Sequence, residues 1–325
     1  MKILEIVKNC GRIGISGHVN PDGDCVGGCC GLALYLRKAM SNAQVDVFLE
    51  PPLEALKRNT PGAETILYEI PQEKEKYDAF IVLDSMPDRI GFAGELYENA
   101  ALKINIDHHK TNPGCGDIFY VDGNASSASE LVYHTMDGSL IDRNIAQALY
   151  VGLVTDTGVF QYSNTRASTM RLAGKLMEYG FDFTSVIREV FFERTYLQTK
   201  MLGICLERTE QIMDGYCAFC ILERETLDRY GASRKDLDRI SSQMLLTEGV
   251  DCAAFVHETD PGVWRVSMRS EKIVDVARTA ALFGGGGHTR AAGCTIHALD
   301  GSGISESVGI LKADIAGQLE AALKG

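Results

Sequence analysis

Four groups of acidic and histidine residues in the first half of the chain have the types and spacing of metal ligands. They are His18, Asp22 and Asp24, then Asp84, then Asp107-His108-His109, and last Asp156. Each group follows an apolar run, so its side chains would stand at the end of a buried element. Carboxylates and imidazoles gathered at adjoining element ends suit two divalent ions, and a protein core has little other use for them.

Each group also has an ordinary structural explanation when it is taken alone. A tight turn would place Asp22 and Asp24 side by side, one carboxylate for each ion, and His18 could add a neutral nitrogen. Asp84 could bridge both ions, but an aspartate after a strand is also a common helix cap, and the same holds for Asp156. Adjacent histidines also occur in surface loops. Four such groups in one chain favour the two-metal site over these separate explanations.

The ligand types narrow the choice of metal and indicate the reaction class. Mixed carboxylate and imidazole ligands without thiolate favour Mn²⁺, with Mg²⁺, Co²⁺ or Fe²⁺ as alternatives. Two such ions roughly 3.5–4 Å apart can hold a bridging hydroxide as nucleophile and neutralise charge on a phosphoryl group. The pattern therefore predicts metal-dependent hydrolysis of a phosphate ester.

The elements that must position these groups alternate between strands and helices. Strands are predicted over 12–16, 45–49, 79–83 and 102–106, and helices over 25–40, 126–136 and 145–155. This alternation indicates right-handed crossovers and an α/β fold with a mostly parallel, doubly wound sheet. Ligands of such sheets lie beyond the carboxyl ends of the strands, which is where Asp84 and Asp107 stand. The small residues Gly27, Gly28 and Gly31 predict close packing of the first long helix.

The second half of the chain has a different pattern and predicts a smaller α/β domain. Residues 168–206 are helical in pattern, and strands are then predicted over 218–222, 253–257 and 263–268, followed by a helix over 275–283. At 325 residues the chain is long enough for two cores. We divide it into a catalytic metal-binding domain, 1–188, a helical linker, 189–206, and a substrate-binding domain, 207–325.

Composition and charge exclude several classes of protein. The formal net charge is −12, the opposite of the balance with which proteins bind long duplexes, so a nucleic-acid substrate would have to be short. No apolar run reaches the roughly 18 residues that a membrane span needs. The N-terminus does not have the pattern of a secretion signal. We expect a cytoplasmic protein that neither enters a membrane nor binds long duplex DNA.

Ten cysteines are scattered along the chain, mostly inside apolar runs, and we expect them to be reduced. Cys217 and Cys220 have the spacing of half a zinc site. Because they lie in a strand-like run and no second pair of matching spacing follows them, we assign both residues to the core.

The order of the ligand groups resembles that of the DHH phosphoesterase superfamily. The resemblance consists of His-x-x-Pro-Asp-x-Asp at 18–24, the lone Asp84, the Asp-His-His at 107–109 and the later Asp156. The tail GGGGHTRAAG at 284–293 is similar to the glycine-rich motif of the DHH-associated C-terminal domain. Within the superfamily the chain resembles the NrnA-like branch, whose members degrade oligoribonucleotides of a few residues and dephosphorylate 3′-phosphoadenosine 5′-phosphate (pAp).

The resemblance implies a role for each residue of these motifs. One ion would be held by His18, Asp22 and Asp84, and the second by Asp24, Asp84, His108 and Asp156, so that Asp84 bridges the two. As catalytic residues, His109 would face the scissile phosphate and Asp107 would orient the histidines. In the C-terminal domain the substrate would be bound by Arg269, Gly285, Gly286, Gly287, His288 and Arg290.

The glycine run of the tail also suits an anionic substrate when it is considered by itself. Four consecutive glycines from Gly284 are unfavourable in a regular element, but they can form a turn whose N–H groups converge on an anion. The residues alone leave two alternatives open. The glycine run could be a flexible loop, and Arg269 could be an ordinary surface arginine.

The resemblance implies a phosphodiesterase that hydrolyses very short oligonucleotides, a nanoRNase, with phosphatase activity on pAp as a second activity. Its partners would be short oligonucleotides or small phosphorylated nucleotides, and the resemblance is compatible with a homodimer. An alternative enzyme is a phosphodiesterase of cyclic dinucleotides or of the linear dinucleotide pApA. From another class, the protein could be a nucleotide-binding regulator with a weakened site, although every ligand residue is present.

Overall fold

The apolar runs of the chain form the strands of two sheets, one in each of the two units into which the chain divides. The computed structural model describes residues 1–71, 76–298 and 304–324, and the two units are Met1–Glu193 and Arg194–Gly325. The predicted linker, 189–206, crosses this division, because residues from 194 onward belong to the second unit. The bounds of the three predicted segments, 1–188, 189–206 and 207–325, stay a prediction.

The first unit contains a parallel sheet whose strands are rich in aliphatic residues. In chain order the strands are β1 Arg12–Ser16, β2 Gln44–Phe48, β3 Ile66–Leu67, β4 Ala79–Leu83, β5 Leu102–Asp107 and β6 Ile118–Val121. They lie in the order β3-β2-β1-β4-β5-β6, and every neighbouring pair is parallel. The direction of winding reverses between β1 and β4, where open α/β sheets form a ligand crevice. The predicted parallel, doubly wound sheet is confirmed.

Helices cover both faces of this sheet. They are α1 Ile3–Val7, α2 Gly23–Ala39, α3 Glu54–Asn59, α4 Gly94–Asn99, α5 Ala128–Thr135, α6 Arg143–Asp156, α7 Ala167–Met177 and α8 Phe183–Ile187, which a π-helical turn, Arg188–Phe192, continues. The predicted close packing of α2 is confirmed. A Cβ atom on Gly27 would lie 2.5 Å from the carbonyl oxygen of Ala148 in α6, and one on Gly31 would lie 2.8 Å from the side chain of Leu149.

The second unit contains a mixed sheet of six strands. The strands are β7 Glu210–Ile212, β8 Cys217–Leu222, β9 Cys252–Asp260, β10 Val263–Ser270, β11 Gly286–His288 and β12 Ala291–His297, in the order β11-β12-β10-β9-β8-β7. Strands β8 and β9 are parallel, and the other pairs are antiparallel. The helices are α9 Tyr196–Glu207, α10 Arg224–Tyr230, α11 Ile240–Leu245, α12 Val276–Ala281 and α13 Ser305–Leu323. The predicted smaller α/β domain is confirmed.

The two faces of the second sheet are covered unequally. One face packs on α12 and α13 through a single apolar cluster that includes Trp264, Val266 and Met268 of β10. On the other face, α9 and α11 cover the side chains of β8 and β9 with a second cluster. Burial alternates along β10, so that Arg265 and Ser267 lie on this second face, and they are only partly buried. Polar side chains therefore occupy the part of this face that β10 forms.

Most of the cysteines of the chain are buried. All ten cysteines are free thiols, and both Cys217 and Cys220 are buried in β8 within the apolar clusters of the second unit. Their assignment to the core is confirmed. Within the described residues, no helix has both the length and the apolar composition that crossing a membrane would require.

Candidate active site

The ligand groups of the first unit meet at the carboxyl ends of its central strands. His18 lies two residues after the end of β1, Asp84 follows β4 directly, and Asp107 is the last residue of β5. Because β1 pairs with β4 and β4 pairs with β5 in parallel register, these three strand ends lie side by side. Asp156 joins them as the last residue of α6. The fold thus gathers residues that are up to 138 positions apart in the sequence.

Three sets of side chains have potential ligand atoms within 4.8 Å of one another. The sets are His18, Asp22 and Asp84; Asp24, His108 and Asp156; and Asp84, His108 and His109. In the first set, Nε2 of His18 lies 3.7 Å from Oδ1 of Asp22 and 3.5 Å from Oδ2 of Asp84. One imidazole and two carboxylates therefore surround a point near the end of β1.

The second set surrounds His108. Its Nε2 atom lies 3.9 Å from Oδ2 of Asp24 and 3.7 Å from Oδ2 of Asp156. The same atom lies 3.3 Å from Oδ1 of Asp84. Asp84 therefore directs one oxygen toward His18 and the other toward His108. This two-sided arrangement is the one that a carboxylate shared by two ions requires.

The surroundings of Asp84 fit a bound cation. Its side chain is 3% exposed, and Oδ1 has no hydrogen-bond partner among the described residues. The backbone of Asp84 is left-handed, with φ of 54°, a conformation that aspartate tolerates better than most residues. Burying a carboxylate oxygen without a donor is unfavourable, and a divalent ion would supply the missing partner. The oxygen and imidazole donors around it are of the type that hard or borderline divalent ions prefer.

Two helix N-termini hold the remaining carboxylates of the turn after β1. Oδ1 of Asp22 accepts from the backbone N–H groups of Asp24 at 3.0 Å and Cys25 at 3.1 Å, which caps α2. Asp24 is itself 1% exposed, and its two oxygens accept from the N–H groups of Ala128 at 2.6 Å and Ser129 at 2.9 Å in the first turn of α5. Backbone donors and helix dipoles thus fix both carboxylates before any ion binds.

The crowded carboxylates raise the pKa values of His18, His108 and Asp24. Burial alone would lower the pKa of His18, but the adjacent carboxylates of Asp22 and Asp84 outweigh it and raise the pKa to about 12. Burial likewise opposes protonation of His108, whose pKa the contact with Asp84 and the charge of Asp24 raise to about 10. Burial, with the charge of Asp84, raises the pKa of Asp24 to about 7. A site that binds protons this readily has excess negative charge, which metal ions would neutralise instead.

A hydrogen-bonded chain behind the cluster orients His109. Its Nδ1 atom lies 2.8 Å from Oδ1 of Asp107, and its backbone N–H donates to the same oxygen at 3.0 Å. The other oxygen of Asp107 accepts from Asn112 at 2.6 Å, and Asn112 also donates to Asn105 at 2.9 Å. The bond to Asp107 raises the pKa of His109. Sequence reasoning missed both asparagines, although Asn105 is a conspicuous polar residue inside the apolar run of β5.

A second network of hydrogen bonds lies beside Asp156. The sequence analysis did not predict it either. The amide nitrogen of Asn164 donates to Oδ2 of Asp156 at 3.2 Å and to the carbonyl of Ser126 at 2.9 Å. The buried carboxylate of Glu130 accepts from the N–H of Ser126 at 2.8 Å, while Ser127 accepts from the N–H of Glu130 at 3.0 Å. The serine–glutamate spacing of a capping box was the available sequence signal. This network holds the first turn of α5, whose N–H groups bind Asp24.

The predicted substrate-binding residues all lie in the second unit. Gly286 and Gly287 belong to strand β11 with His288, so the predicted glycine turn is partly a paired strand. Gly285 is required for close approach, because a Cβ atom there would collide with the carbonyl oxygen of Gly293.

Both predicted arginines contact the backbone of their own unit. Arg290 donates to the carbonyl of Val274 at 2.9 Å and to that of Lys272, while Arg269 donates to the carbonyl of Met268 at 3.0 Å. The roles of these arginines in substrate binding stay predictions.

Comparison with known proteins agrees with this arrangement of two units. Residues 12–153 match the DHH family, N-terminal domain, and residues 215–315 match the DHHA1 domain. The bifunctional oligoribonuclease and PAP phosphatase NrnA of Thermus thermophilus is 32% identical over 303 residues, which cover 92% of this chain and 88% of that protein. The protein of the same name from Bacillus subtilis is 27% identical over 290 residues, 87% of this chain and 88% of that protein.

A solved structure has the same fold over nearly the whole chain. It is the crystal structure of an exopolyphosphatase-related protein from Bacteroides fragilis, with a TM-score of 0.87 and 25% sequence identity. The match covers 99% of this chain and 96% of that one.

Proposed function

The chain belongs to the DHH phosphoesterase family, and from this we propose that it hydrolyses very short oligonucleotides and removes the 3′-phosphate of pAp. The observation that carries the proposal is the meeting of two imidazole–carboxylate sets around one buried carboxylate, Asp84. The 32% identity to an oligoribonuclease and PAP phosphatase supports this substrate class over other phosphate esters.

The proposed metal ligands follow the two sets. His18 and Asp22 would hold one ion, Asp24, His108 and Asp156 would hold the other, and Asp84 would contribute to both. Two divalent ions bound there would supply an activated water and neutralise charge on the phosphoryl group. Oxygen and imidazole ligands without thiolate favour Mn²⁺.

The remaining polar residues of the cluster act on the substrate through His109. Asp107 accepts a hydrogen bond from Nδ1 of His109, which selects the tautomer and the orientation of the ring. Because the same bond raises the pKa of His109, the ring is a cation over a wider pH range than free histidine. A cationic imidazole stabilises the negative charge of the scissile phosphate and can donate a proton to the leaving oxygen.

Short substrates are favoured by charge and by the second unit. With a net charge of −12, the chain does not attract long polyanions, so binding must rely on local cationic groups. We assign substrate contact to Arg269, His288, Arg290 and the backbone of 285–287. The expected homodimer and the cytoplasmic location stay predictions.

A turnover panel with Mn²⁺ tests the proposal. Its substrates are a dinucleotide, a five-residue oligoribonucleotide, pAp, cyclic di-AMP and pyrophosphate. Rapid cleavage of the two short RNAs, together with phosphate release from pAp, is the expected result. A preference for cyclic di-AMP would keep the chemistry but replace the proposed substrates, and the absence of turnover on every substrate would support a nucleotide-binding regulator instead.

A further inference from the structure

The segment that follows Asp156 in the first unit is a left-handed turn. Gly158, Val159 and Phe160 have φ of 56°, 57° and 65°, a conformation that a β-branched residue such as Val159 rarely adopts. The buried hydroxyl of Thr157 accepts from the N–H of Phe160 at 3.2 Å and donates to a carbonyl in the last turn of α6 at 2.6 Å. Val159 and Phe160 pack on the core of the first unit. The turn is therefore held in a strained conformation, which is typical of functional sites.

This turn leaves one aromatic ring at the surface. Tyr162 is 51% exposed, although its backbone N–H donates to the carbonyl of Thr157 at 3.0 Å. A Cβ atom on Gly158 would collide almost equally with three consecutive carbons of the tyrosine ring, so one face of the ring lies on the glycine. Within the described part of the chain, no other aromatic ring and no cation packs on Tyr162. The tyrosine therefore presents one open face in a fixed orientation.

The ring of Tyr162 lies beside the ligand cluster. Gly158, which carries the ring, is two residues after Asp156, so their Cα atoms are at most about 7.6 Å apart. Beyond Tyr162 the chain returns to the cluster, because Asn164 donates to Oδ2 of Asp156 at 3.2 Å. The side chain of Asp156 is 25% exposed, so the cluster is open to solvent at this ligand. A group bound near Asp156 would therefore be within reach of the tyrosine.

Two cations lie at the same edge of the cluster, against the turn 122–125. The first N–H of this turn donates to the carbonyl of Asp107 at 3.1 Å, so the turn begins beside the end of β5. Lys110 packs on the glycine of the turn, where a Cβ atom would collide with Cγ of the lysine. Arg166 donates to the asparagine side chain of the turn at 3.1 Å. The two cations thus contact consecutive residues of one turn.

The positive charge of these two side chains is not neutralised. Lys110 and Arg166 are both exposed, and among the residues that the structure describes neither has an ion-pair partner. The carboxylate of the turn, Asp122, accepts from the backbone N–H of Asn124 at 2.9 Å and forms no ion pair with either cation. In a chain with a net charge of −12, two unpaired cations beside a phosphoesterase site favour the binding of an anion there.

We propose that the first unit itself binds a nucleotide of the substrate, with a base stacked on Tyr162 and a phosphate that is not cleaved bound by Lys110 and Arg166. Every nucleobase has an aromatic face that stacks on tyrosine, and guanidinium forks bind phosphate oxygens in pairs. In pAp, the adenine would lie on Tyr162 and the 5′-phosphate at the two cations, with the 3′-phosphate at the ligand cluster. The proposal rests on the proposed function and adds three residues to the contacts assigned to the second unit.

Binding of AMP tests the site without relying on turnover. AMP has the base and the 5′-phosphate of pAp but lacks the 3′-phosphate that is cleaved, and it is titrated by calorimetry in Mn²⁺. We expect Tyr162→Ala, Lys110→Gln and Arg166→Gln each to lower its affinity about tenfold, because each removes a stack or a charge-assisted hydrogen bond. Tyr162→Phe retains the ring and should bind AMP like the wild type.

Matched controls come from the second unit. Tyr196→Ala removes a tyrosine that is 83% exposed, and Arg229→Gln removes an exposed arginine that pairs with Glu225. Thermal melting shows whether each variant is folded. Unchanged affinity in Tyr162→Ala, an equal loss in Tyr162→Phe, or unchanged affinity in both cation variants would overturn the site. So would a wild type that does not bind AMP.

Turnover of pAp and of 3′-AMP then separates the two contacts. Because 3′-AMP lacks the 5′-phosphate, Arg166→Gln should raise KM for pAp about tenfold more than KM for 3′-AMP. Tyr162→Ala should raise both values of KM equally, since the two substrates share the base. Equal effects of Arg166→Gln on both substrates would contradict the phosphate contact. A wild type that binds AMP but hydrolyses neither pAp nor oligoribonucleotides would refute the proposed function and leave the nucleotide site in place.

Discussion

The two units of the chain concentrate opposite charges at their polar sites. In the first unit, four carboxylates and three imidazoles crowd the ends of β1, β4 and β5. In the second unit, a cleft beside β10 is lined by Arg234 and Arg265 and, among the described residues, by no carboxylate. The negative charge of the first site would be neutralised by cations, and the positive charge of the second would be neutralised by an anion. The net charge of the whole chain, −12, does not reveal this difference between the two sites. The local charge around each site therefore indicates what each unit binds.

The two sites also differ in how their residues are held. Backbone N–H groups at helix starts fix Asp22 and Asp24, and Asp84 is almost fully buried. Arg234 of the second unit is exposed, and Arg265 is only partly buried, with a long side chain on an open sheet face. Changes in the first site should therefore reduce the rate of chemistry sharply, whereas changes in the second should weaken binding more gradually.

The largest effect is expected from Asp84→Ala. Loss of a carboxylate shared by both ions should reduce turnover more than about a hundredfold, beyond the usual effect of losing a supporting residue. Activity is measured with the five-residue oligoribonucleotide, and bound metal by elemental analysis. The control is Asp88→Ala, since Asp88 is an exposed aspartate four residues away. Activity within about tenfold of the wild type would contradict the bridging role.

Asn112→Ala should have the next largest effect, because it acts through Asp107 and His109. Asn112 is 6% exposed and donates to Asp107 at 2.6 Å, so its loss should leave Asp107 and the histidine poorly oriented. We expect kcat to fall about ten- to hundredfold with metal content and KM almost unchanged. Asn99→Ala, at an exposed asparagine of α4, is the control. A fall in metal content would instead make Asn112 part of the ion site.

Arg269→Ala and His288→Ala test the second unit in the same assay. If both side chains contact substrate, each variant should raise KM about tenfold and leave metal content unchanged. Steady-state kinetics over a range of oligonucleotide concentrations provides the measurement. A lower kcat at unaltered KM, or lost metal, would assign these residues to the chemistry of the first unit and remove the contrast between the units.

The smallest expected effect is the pH dependence of metal binding, which arises because metal ions displace protons from the ligands. The pKa of His18 is raised to about 12 and that of His108 to about 10, so both rings are protonated at neutral pH in the metal-free protein. Ligation needs neutral rings, so Mn²⁺ binding should release protons, and its apparent affinity should rise from about pH 6 to about pH 8. Calorimetry in buffers of different ionisation enthalpy measures this release. Equal heats in all buffers would contradict it.

Much of the first unit could be predicted because its central strands are apolar on both faces. The predicted bounds 12–16 and 79–83 are those of β1 and β4, since a buried parallel strand is a continuous apolar run between polar ends. Strand β6, Ile118–Val121, was missed because it is a partly exposed edge strand. Strand β12, Ala291–His297, was missed because its first four residues are small and have little β-propensity.

The sequence by itself determined which side chains could bind metal, since Asp84, Asp107 and their partners stand at the ends of apolar runs. It also determined the parallel sheet that gathers them. Only the tertiary structure decided what supports that cluster and what lines the cleft. Asn112 and Asn164 act across turns, and His257, Arg265 and Thr295 become neighbours through strand register. Pairing between distant strands depends on the packing of the whole sheet. The spacing of these residues along the chain therefore forms no recognisable sequence motif.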